Sequence, residues 1–260
     1  MPSPTVSFIG SGNLAWHLAP ALDNLGFVVK EVFSARPKNA TALTDRLYQA
    51  EVVTSLDFSD SPSRVFFIAV SDEAIGDVAK DLILPEGSLL VHTSGSQPLS
   101  ILQYAEASQT GVFYPLQTFT KARPVDFKNV PVFIEASDAA AEKQLVSMAR
   151  GLTKKFKKIT SEERKALHVA AVFASNFPNH MIRIAKTLME DRDMNFDWLK
   201  PIILETINKA LAVGPEYSQT GPAVRGDLEI LDQHLAYLKD EKAIAKIYEI
   251  VSQHIIDTND

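Results

Sequence analysis

The residues Gly10-Ser11-Gly12-Asn13-Leu14-Ala15 follow a short apolar run, Val6–Ile9, and open a segment in which Leu14, Leu18, Ala21, Leu22 and Leu25 recur at helical spacing. This is a G-x-G-x-x-A pattern set between a strand and a helix. Gly10 permits a tight turn, Gly12 lets a phosphate approach the backbone with no Cβ in the way, and Ala15 lets the helix pack closely on the strand. The unbonded N–H groups of Ser11, Gly12, Asn13 and Leu14, with the positive end of the helix dipole, favour an anion there. A turn of this composition can also do no more than join strand to helix. Its place after the first strand and before the second favours a pyrophosphate cradle.

The next strand ends in Val32-Phe33-Ser34-Ala35-Arg36-Pro37-Lys38. Folds that bind NAD commonly place an acid near this strand tip to take the ribose hydroxyls. No carboxylate stands there, and Glu31 lies within the strand. Arg36 and Lys38, with Ser34 beside them, put positive charge where a 2′-phosphate would sit, which favours NADP(H) over NAD; as solvated loop charges they would have no such role. The backbone of Ala69, Val70 and Ser71 would floor the adenine-side ribose and phosphates, and Asp72 reads as the cap of a following helix.

Three further groups could act on a substrate. His92, Ser94 and Gly95 follow another strand at the same sheet edge, where a hydroxyl and backbone N–H groups could hold a carboxylate or carbonyl; Ser94-Gly95-Ser96 reads equally well as a plain turn. Lys165, His168, Val172, Ser175 and Asn176 recur at spacings of three and four, on one helical face. His168 could give a proton as hydride reaches a carbonyl or imine, with Asn176 orienting the substrate, or it could be hydrogen-bonded in a helix interface. Arg225 could bind an anionic group through its fork, or pair with Asp227. His17, His180, His234 and His254 lack metal-ligand spacing with Asp or Glu, so no metal site is expected.

Positioning these residues calls for an α/β frame. Strands are predicted at Val6–Ile9, Val28–Phe33, Val65–Val70, Ser88–His92, Gly111–Tyr114 and Val130–Glu135, alternating with helices, and runs such as VFFIAV are apolar on both faces, as in a doubly wound, mostly parallel sheet. From Ser161 only helices are predicted: Ser161 to about Glu190, interrupted near Pro178, then Asp197–Ala212, Asp227–Leu238 and Glu241–Ile256. Ser161 itself reads as the capping hydroxyl of the first. The expected domains are residues 1–158, dinucleotide-binding, and 159–260, an all-α substrate and dimerisation domain.

Composition sets the outer limits. The 260 residues contain no cysteine, which excludes disulfides, thiol nucleophiles and thiolate metal sites. A net charge of −6 gives no electrostatic reason to bind nucleic acid or an anionic membrane. The longest uncharged stretch, Gly87–Ala105, is too polar to span a membrane, and no basic secretory leader opens the chain, so a cytoplasmic location is expected.

Gly10–Ala15, His92-Thr93-Ser94-Gly95-Ser96, Tyr114–Phe119, Lys165–Asn176 and Thr220–Asp227 occur in this order and cover nearly the whole chain. Together they resemble a bacterial family of Rossmann-like proteins with a helical C-terminal domain of unassigned function. That family is similar in plan to pyrroline-5-carboxylate reductase and the β-hydroxyacid dehydrogenases. It is often labelled an NADP oxidoreductase, sometimes with a deazaflavin coenzyme. Relatives often carry Ser-Arg directly after the second strand; here Ala35 takes the arginine position and Arg36 follows. The Lys-x-x-x-Asn spacing of the β-hydroxyacid dehydrogenases is not reproduced, so His168 with Asn176 is an analogy. The resemblance implies a homodimeric NADP-dependent reductase or dehydrogenase acting on a small polar carbonyl, hydroxyl or imine compound. The alternatives are an NADP(H)-binding sensor without turnover and a deazaflavin-dependent NADP oxidoreductase.

Overall fold

Eight strands join in one sheet in the computed structural model, which describes residues 4–259. They are β1 (Thr5–Ile9), β2 (Val28–Phe33), β3 (Glu51–Val53), β4 (Val65–Ile68), β5 (Leu89–His92), β6 (Gln109–Pro115), β7 (Val132–Ala136) and β8 (Phe156–Lys158). The sheet order is β3-β2-β1-β4-β5-β6-β7-β8. Neighbours run parallel except β6 and β7. The helices of this part are α1 (Asn13–Asn24), α2 (Pro37–Thr44), α3 (Ile75–Asp81), α4 (Ala139–Leu152) and α5 (Ser161–Ala171).

Alternate residues of the central strands feed two cores. Phe8, Phe67, Val91 and Phe113 pack with Leu18 and Leu22 of α1 and Leu145 of α4. Ile9, Phe66, Ile68 and Leu90 pack on the other face with Ile75 and Ala79 of α3. Burying a side chain of this size is worth about 2 kcal/mol, so β4 is fixed from both sides. Of the eight strands, β3 and β8 lie outside the predicted six. Each has three residues, and Phe156-Lys157-Lys158 offers one apolar side chain, too little for a periodic signal.

The chain divides into two compact units, Met1–Ser175 and Asn176–Asp260. The boundary expected near Lys158 would leave α5 with the later helices. Here α5 belongs to the first unit, tied to β7 through Glu135, which accepts from the Ser161 hydroxyl and pairs with Arg164. Its cap is Thr160, one residue before the predicted Ser161: Thr160 Oγ1 accepts from Glu163 N–H at 3.2 Å, and Glu163 accepts from Thr160 N–H at 2.7 Å. Ser161 is left free to bond Glu135.

A π-helical turn, Val172–Asn176, follows α5. The second unit contains α6 (Phe177–Glu190), α7 (Lys200–Val213), the short α8 (Pro215–Ser218), α9 (Leu228–Tyr237) and α10 (Lys242–Asn259). The single run predicted from Ser161 to Glu190 is thus two α-helices separated by a wide turn, with Pro178 in the first turn of α6, where a missing N–H costs little. Within this unit His234 Nδ1 lies 2.7 Å from the Tyr248 hydroxyl, joining α9 to α10, and the Arg192 guanidinium lies 4.5 Å from the Tyr237 ring centroid. Among the described residues no helix is long and apolar enough to cross a membrane.

Candidate functional site

The glycine turn lies where β1 is flanked by β2 and β4, the point at which the sheet's winding reverses. Gly10 has φ +111°, and its N–H donates to the Phe33 carbonyl at 2.8 Å. A Cβ at Gly10 would fall 2.4 Å from the Ala69 carbonyl oxygen, so neither its conformation nor its surroundings admit a side chain. Gly12 is the N-cap of α1 and supplies no side-chain bond to the helix start. A Cβ there would meet nothing closer than Ala69 O at 3.7 Å. The space over Gly12 is therefore open.

That space is a cleft of about 610 Å³ whose lining includes Gly10, Ser11, Gly12, Asn13, Leu14, Ser34, Ala69, Val70, Ser71 and Ser94. These ten come from the sequence-predicted set, and the fold brings them together. Arg36 and Lys38 do not line it; both are exposed at the start of α2, whose N-cap is Arg36. The strand-tip hydroxyl is held in place, since Ser11 Oγ donates to Ser34 Oγ at 3.0 Å. Glu31 is occupied elsewhere, accepting from the Ser7 hydroxyl at 2.7 Å and from Ser61. Lining residues that sequence reasoning passed over include Asn39, Thr93 and Lys121, and Asp72, read there as a helix cap, lines the cleft as well. Asp72 does not cap a helix as expected: its carboxylate accepts from the Ser96 hydroxyl, while Ser71 precedes the short 3₁₀ turn that it opens.

Beyond Ser94 the chain turns inward. Ser94 Oγ accepts from the N–H groups of Ser96 and Gln97 at 3.1 and 3.0 Å, so the same hydroxyl builds the turn and lines the cleft. His92 lies beneath, fully buried, with Nδ1 accepting from Ser94 N–H at 3.2 Å. Burial, and then the nearby Arg164 charge, push its pKa down to about 3, so the ring is neutral. It is not among the cleft residues.

Gly95 touches the pair that matters for proton chemistry. The Tyr114 hydroxyl lies 3.0 Å from His168 Nδ1. A Cβ on Gly95 would fall 2.6 Å from that Nδ1 and 2.8 Å from the hydroxyl oxygen. Burial first, and the Asp72 charge second, raise the Tyr114 pKa above that of an ordinary phenol. Tyr114 looks like a core aromatic of β6 in the sequence, and only its contact with α5 distinguishes it. Arg164 was likewise unmarked. Its side chain is 1% exposed; it pairs with Glu135 and donates to the Gln97 carbonyl at 2.5 Å, fastening α5 to the loop that carries Ser94 and Gly95.

Asn176 and Arg225 belong to the second unit. The face predicted for Lys165, His168, Val172, Ser175 and Asn176 presumes α-helical spacing throughout, and Val172–Asn176 is π-helical, with bonds to i+5. Arg225 is exposed and lies 3.9 Å from Asp227, the pairing read as one of its two options. Among the described residues no group of three or more His, Cys, Asp or Glu could hold a metal ion.

An eight-stranded, mostly parallel, doubly wound sheet with a glycine turn at its point of reversal, followed by helices, defines a Rossmann-type protein with a helical C-terminal region. Residues 130–255 match the domain of unknown function DUF2520. Over 98% of this chain and 99% of the other, the structure is similar to a Bacteroides fragilis protein described provisionally as an NADP oxidoreductase, with 36% identity and a TM-score of 0.91. The chain belongs to this family of Rossmann-like proteins with a helical C-terminal domain. The fold alone extends to a reductive aminase from Aspergillus terreus in complex with NADPH and ethyl levulinate, at 12% identity over 98% and 94% of the two chains and a TM-score of 0.70. It extends also to the prephenate dehydrogenase of A. aeolicus in complex with hydroxyphenyl propionate and NAD+, at 14% identity over 99% of this chain and 98% of the other and a TM-score of 0.59. No curated protein matches the sequence.

Proposed function

We propose that the chain is an NADP(H)-dependent oxidoreductase that reduces a small polar carbonyl or imine compound, or oxidises the matching hydroxyl or amine. The observation that carries this reading is the open, uncapped space over Gly12, walled by a Gly10 that no side chain can replace. A dinucleotide fits such a cradle: the first N–H groups of α1 would hold its diphosphate, and the backbone of Ala69–Ser71 its adenine-side ribose. The Bacteroides fragilis relative's description supports NADP(H). Among proteins sharing the fold, one is described with NADPH and another with NAD+, so the preference for NADP(H) rests on Arg36 and Lys38 and on a strand tip without a free acid.

When bound, the coenzyme supplies the hydride. The chain's part is the proton, which must reach the substrate oxygen or nitrogen as the carbon is reduced. His168 is the proposed donor, through Nε2. A hydroxyl can both accept and donate. Tyr114 therefore accepts from Nδ1–H both while the ring is doubly protonated and after the proton has left Nε2, which holds the ring in the orientation that presents Nε2. A raised phenol pKa keeps that O–H in place. The turn Ser94-Gly95, held from beneath by His92, is proposed to take the carboxylate or carbonyl of the substrate.

Titration with NADPH and NADH, followed by coenzyme consumption with a panel of α-keto acids, aldehydes and cyclic imines, tests the proposal. NADPH should bind more tightly than NADH, and the gap should shrink in Arg36→Ala. Equal affinities in the parent would sink the NADP(H) preference. Tight binding with no consumption across the panel would make the protein a sensor, and consumption only with a deazaflavin would make it a deazaflavin-dependent oxidoreductase. A homodimer is part of the same proposal, since Ile202, Leu204, Ile207 and Leu211 of α7 are all exposed; light scattering at the mass of one chain would remove it.

A further inference from the structure

We propose that Lys121 is the cation of this cleft, its ammonium pairing with the diphosphate of the bound dinucleotide over the first turn of α1. The inference rests on the dinucleotide reading above and adds a binding residue to it. Lys121 is the one lysine or arginine lining the cleft among the described residues. It arrives from the connection between β6 and β7, far from the glycine turn in sequence.

Three consecutive residues of that connection are fastened to α1. Phe119 stacks on the His17 ring at 5.7 Å and on Phe127 at 6.0 Å. His17 Nε2 donates to the Thr120 carbonyl at 2.8 Å. Lys121 Nζ lies 4.7 Å from the centroid of the Trp16 ring. Trp16 belongs to the first turn of α1, its N–H donating to the Gly12 carbonyl at 2.9 Å. The ring is itself held, because the Arg46 guanidinium lies 4.2 Å from its centroid and donates to the Trp16 carbonyl. The ammonium is thus directed by a fixed aromatic face in place of wandering on a flexible stem.

The charge balance points the same way. No carboxylate pairs with Lys121 among the described residues. The one carboxylate lining the cleft, Asp72, already accepts from Ser96. An unpaired cation beside unbonded helix N–H groups calls for an anion. Its place over α1 selects the diphosphate, since Arg36 and Lys38 stand at the start of α2, toward the ribose end.

Calorimetry of the parent, Lys121→Met and Lys121→Arg with ADP, adenosine 2′-monophosphate, NADH and NADPH tests this. Losing one charge-assisted contact should weaken ADP, NADH and NADPH alike by about tenfold or more, leaving the 2′-monophosphate unchanged. Lys121→Arg should stay within about threefold of the parent, since it keeps the charge. Equal affinities in Lys121→Met, or a loss confined to ligands with a 2′-phosphate, would overturn the assignment and leave the dinucleotide reading standing. A parent protein that binds neither coenzyme removes both.

Discussion

The hydroxyl of Tyr114 and Nδ1 of His168 stand 3.0 Å apart, joining the end of β6 to the last turn of α5 across a glycine with no room for a methyl group. Gly95 is the gauge of that distance. Gly95→Ala should push the ring and the phenol apart and lower turnover by about tenfold or more, with NADPH affinity within a factor of about two, because the glycine turn of α1 is untouched. Tyr114→Phe keeps the packing and removes the partner of Nδ1, and should lower turnover in the same direction. Steady-state kinetics alongside fluorescence titration would check both. A Gly95→Ala protein with parental turnover would mean that the pair has no part in the chemistry.

His92 makes the fold sensitive to acid. Its folded pKa, about 3, lies below that of a histidine in the unfolded chain, so unfolding takes up a proton as pH falls. The stability that the neutral ring contributes is complete above about pH 6.5 and is lost progressively down to about pH 3. At about pH 5 the loss should be on the order of 2 kcal/mol. Urea unfolding of the parent and of His92→Asn at pH 7 and pH 5 would show it: the variant, less stable at pH 7, should lose less between the two. Parallel losses would mean that another group sets the acid limit.

What the sequence discloses and what it hides divide along a physical line. Gly10–Ala15 was legible because turn, helix start and phosphate cradle are properties of neighbouring residues. So was the alternation of strand and helix, since burial on both faces of Val65–Ile68 leaves an unbroken apolar run. Lys121 was not legible: its position depends on His17 and Trp16 holding a distant loop. Arg164 sits in an acid-rich helix start and reads as a surface charge until Glu135 arrives from β7. Asp72 has the look of a helix cap, and only the approach of Ser96 from the next loop takes its carboxylate away. The helix after Lys158 shows the same limit, for its place in the first unit is decided by Ser161 and Arg164 meeting a strand rather than by its own periodicity.

The two glycines of the turn should fail in different ways. Gly10→Ala must hold a side chain at φ +111° against the Ala69 carbonyl, so it should unfold more easily, by about 2 kcal/mol or more, and lose coenzyme binding with the distorted turn. Gly12→Ala meets only ordinary van der Waals contact within the protein. Its methyl group would fill space assigned to the diphosphate, so its melting temperature should match the parent within a few degrees while NADPH affinity drops by about tenfold or more. Thermal unfolding with and without NADPH separates the cases. If Gly12→Ala binds NADPH as the parent does, the diphosphate does not lie over Gly12.

Arg164 should be the costliest single charge to remove. Its guanidinium is 1% exposed and serves three partners, the Glu135 carboxylate, the Gln97 carbonyl and the Ser161 hydroxyl, so no single replacement contact compensates its loss. Arg164→Met leaves Glu135, itself only 18% exposed, without its counter-charge, and breaking a buried pair from one side typically costs about 3 to 5 kcal/mol. The exposure of Glu135 and its remaining bond to Ser161 argue for the lower end. Arg164→Lys keeps the charge and loses the fork, so it should recover only part of the stability. Glu135→Gln combined with Arg164→Met removes the stranded charge and should be more stable than Arg164→Met alone. Denaturant unfolding of the parent, Glu135→Gln, Arg164→Met and the double variant closes the cycle and gives the coupling directly. Because Gln97 is bound by the same guanidinium, Arg164→Met should also free the loop carrying Ser94 and Gly95 from α5, and with it the spacing of Tyr114 and His168. Turnover should therefore fall further than the fraction unfolded accounts for, and a fall that merely tracks unfolding would confine Arg164 to holding the fold.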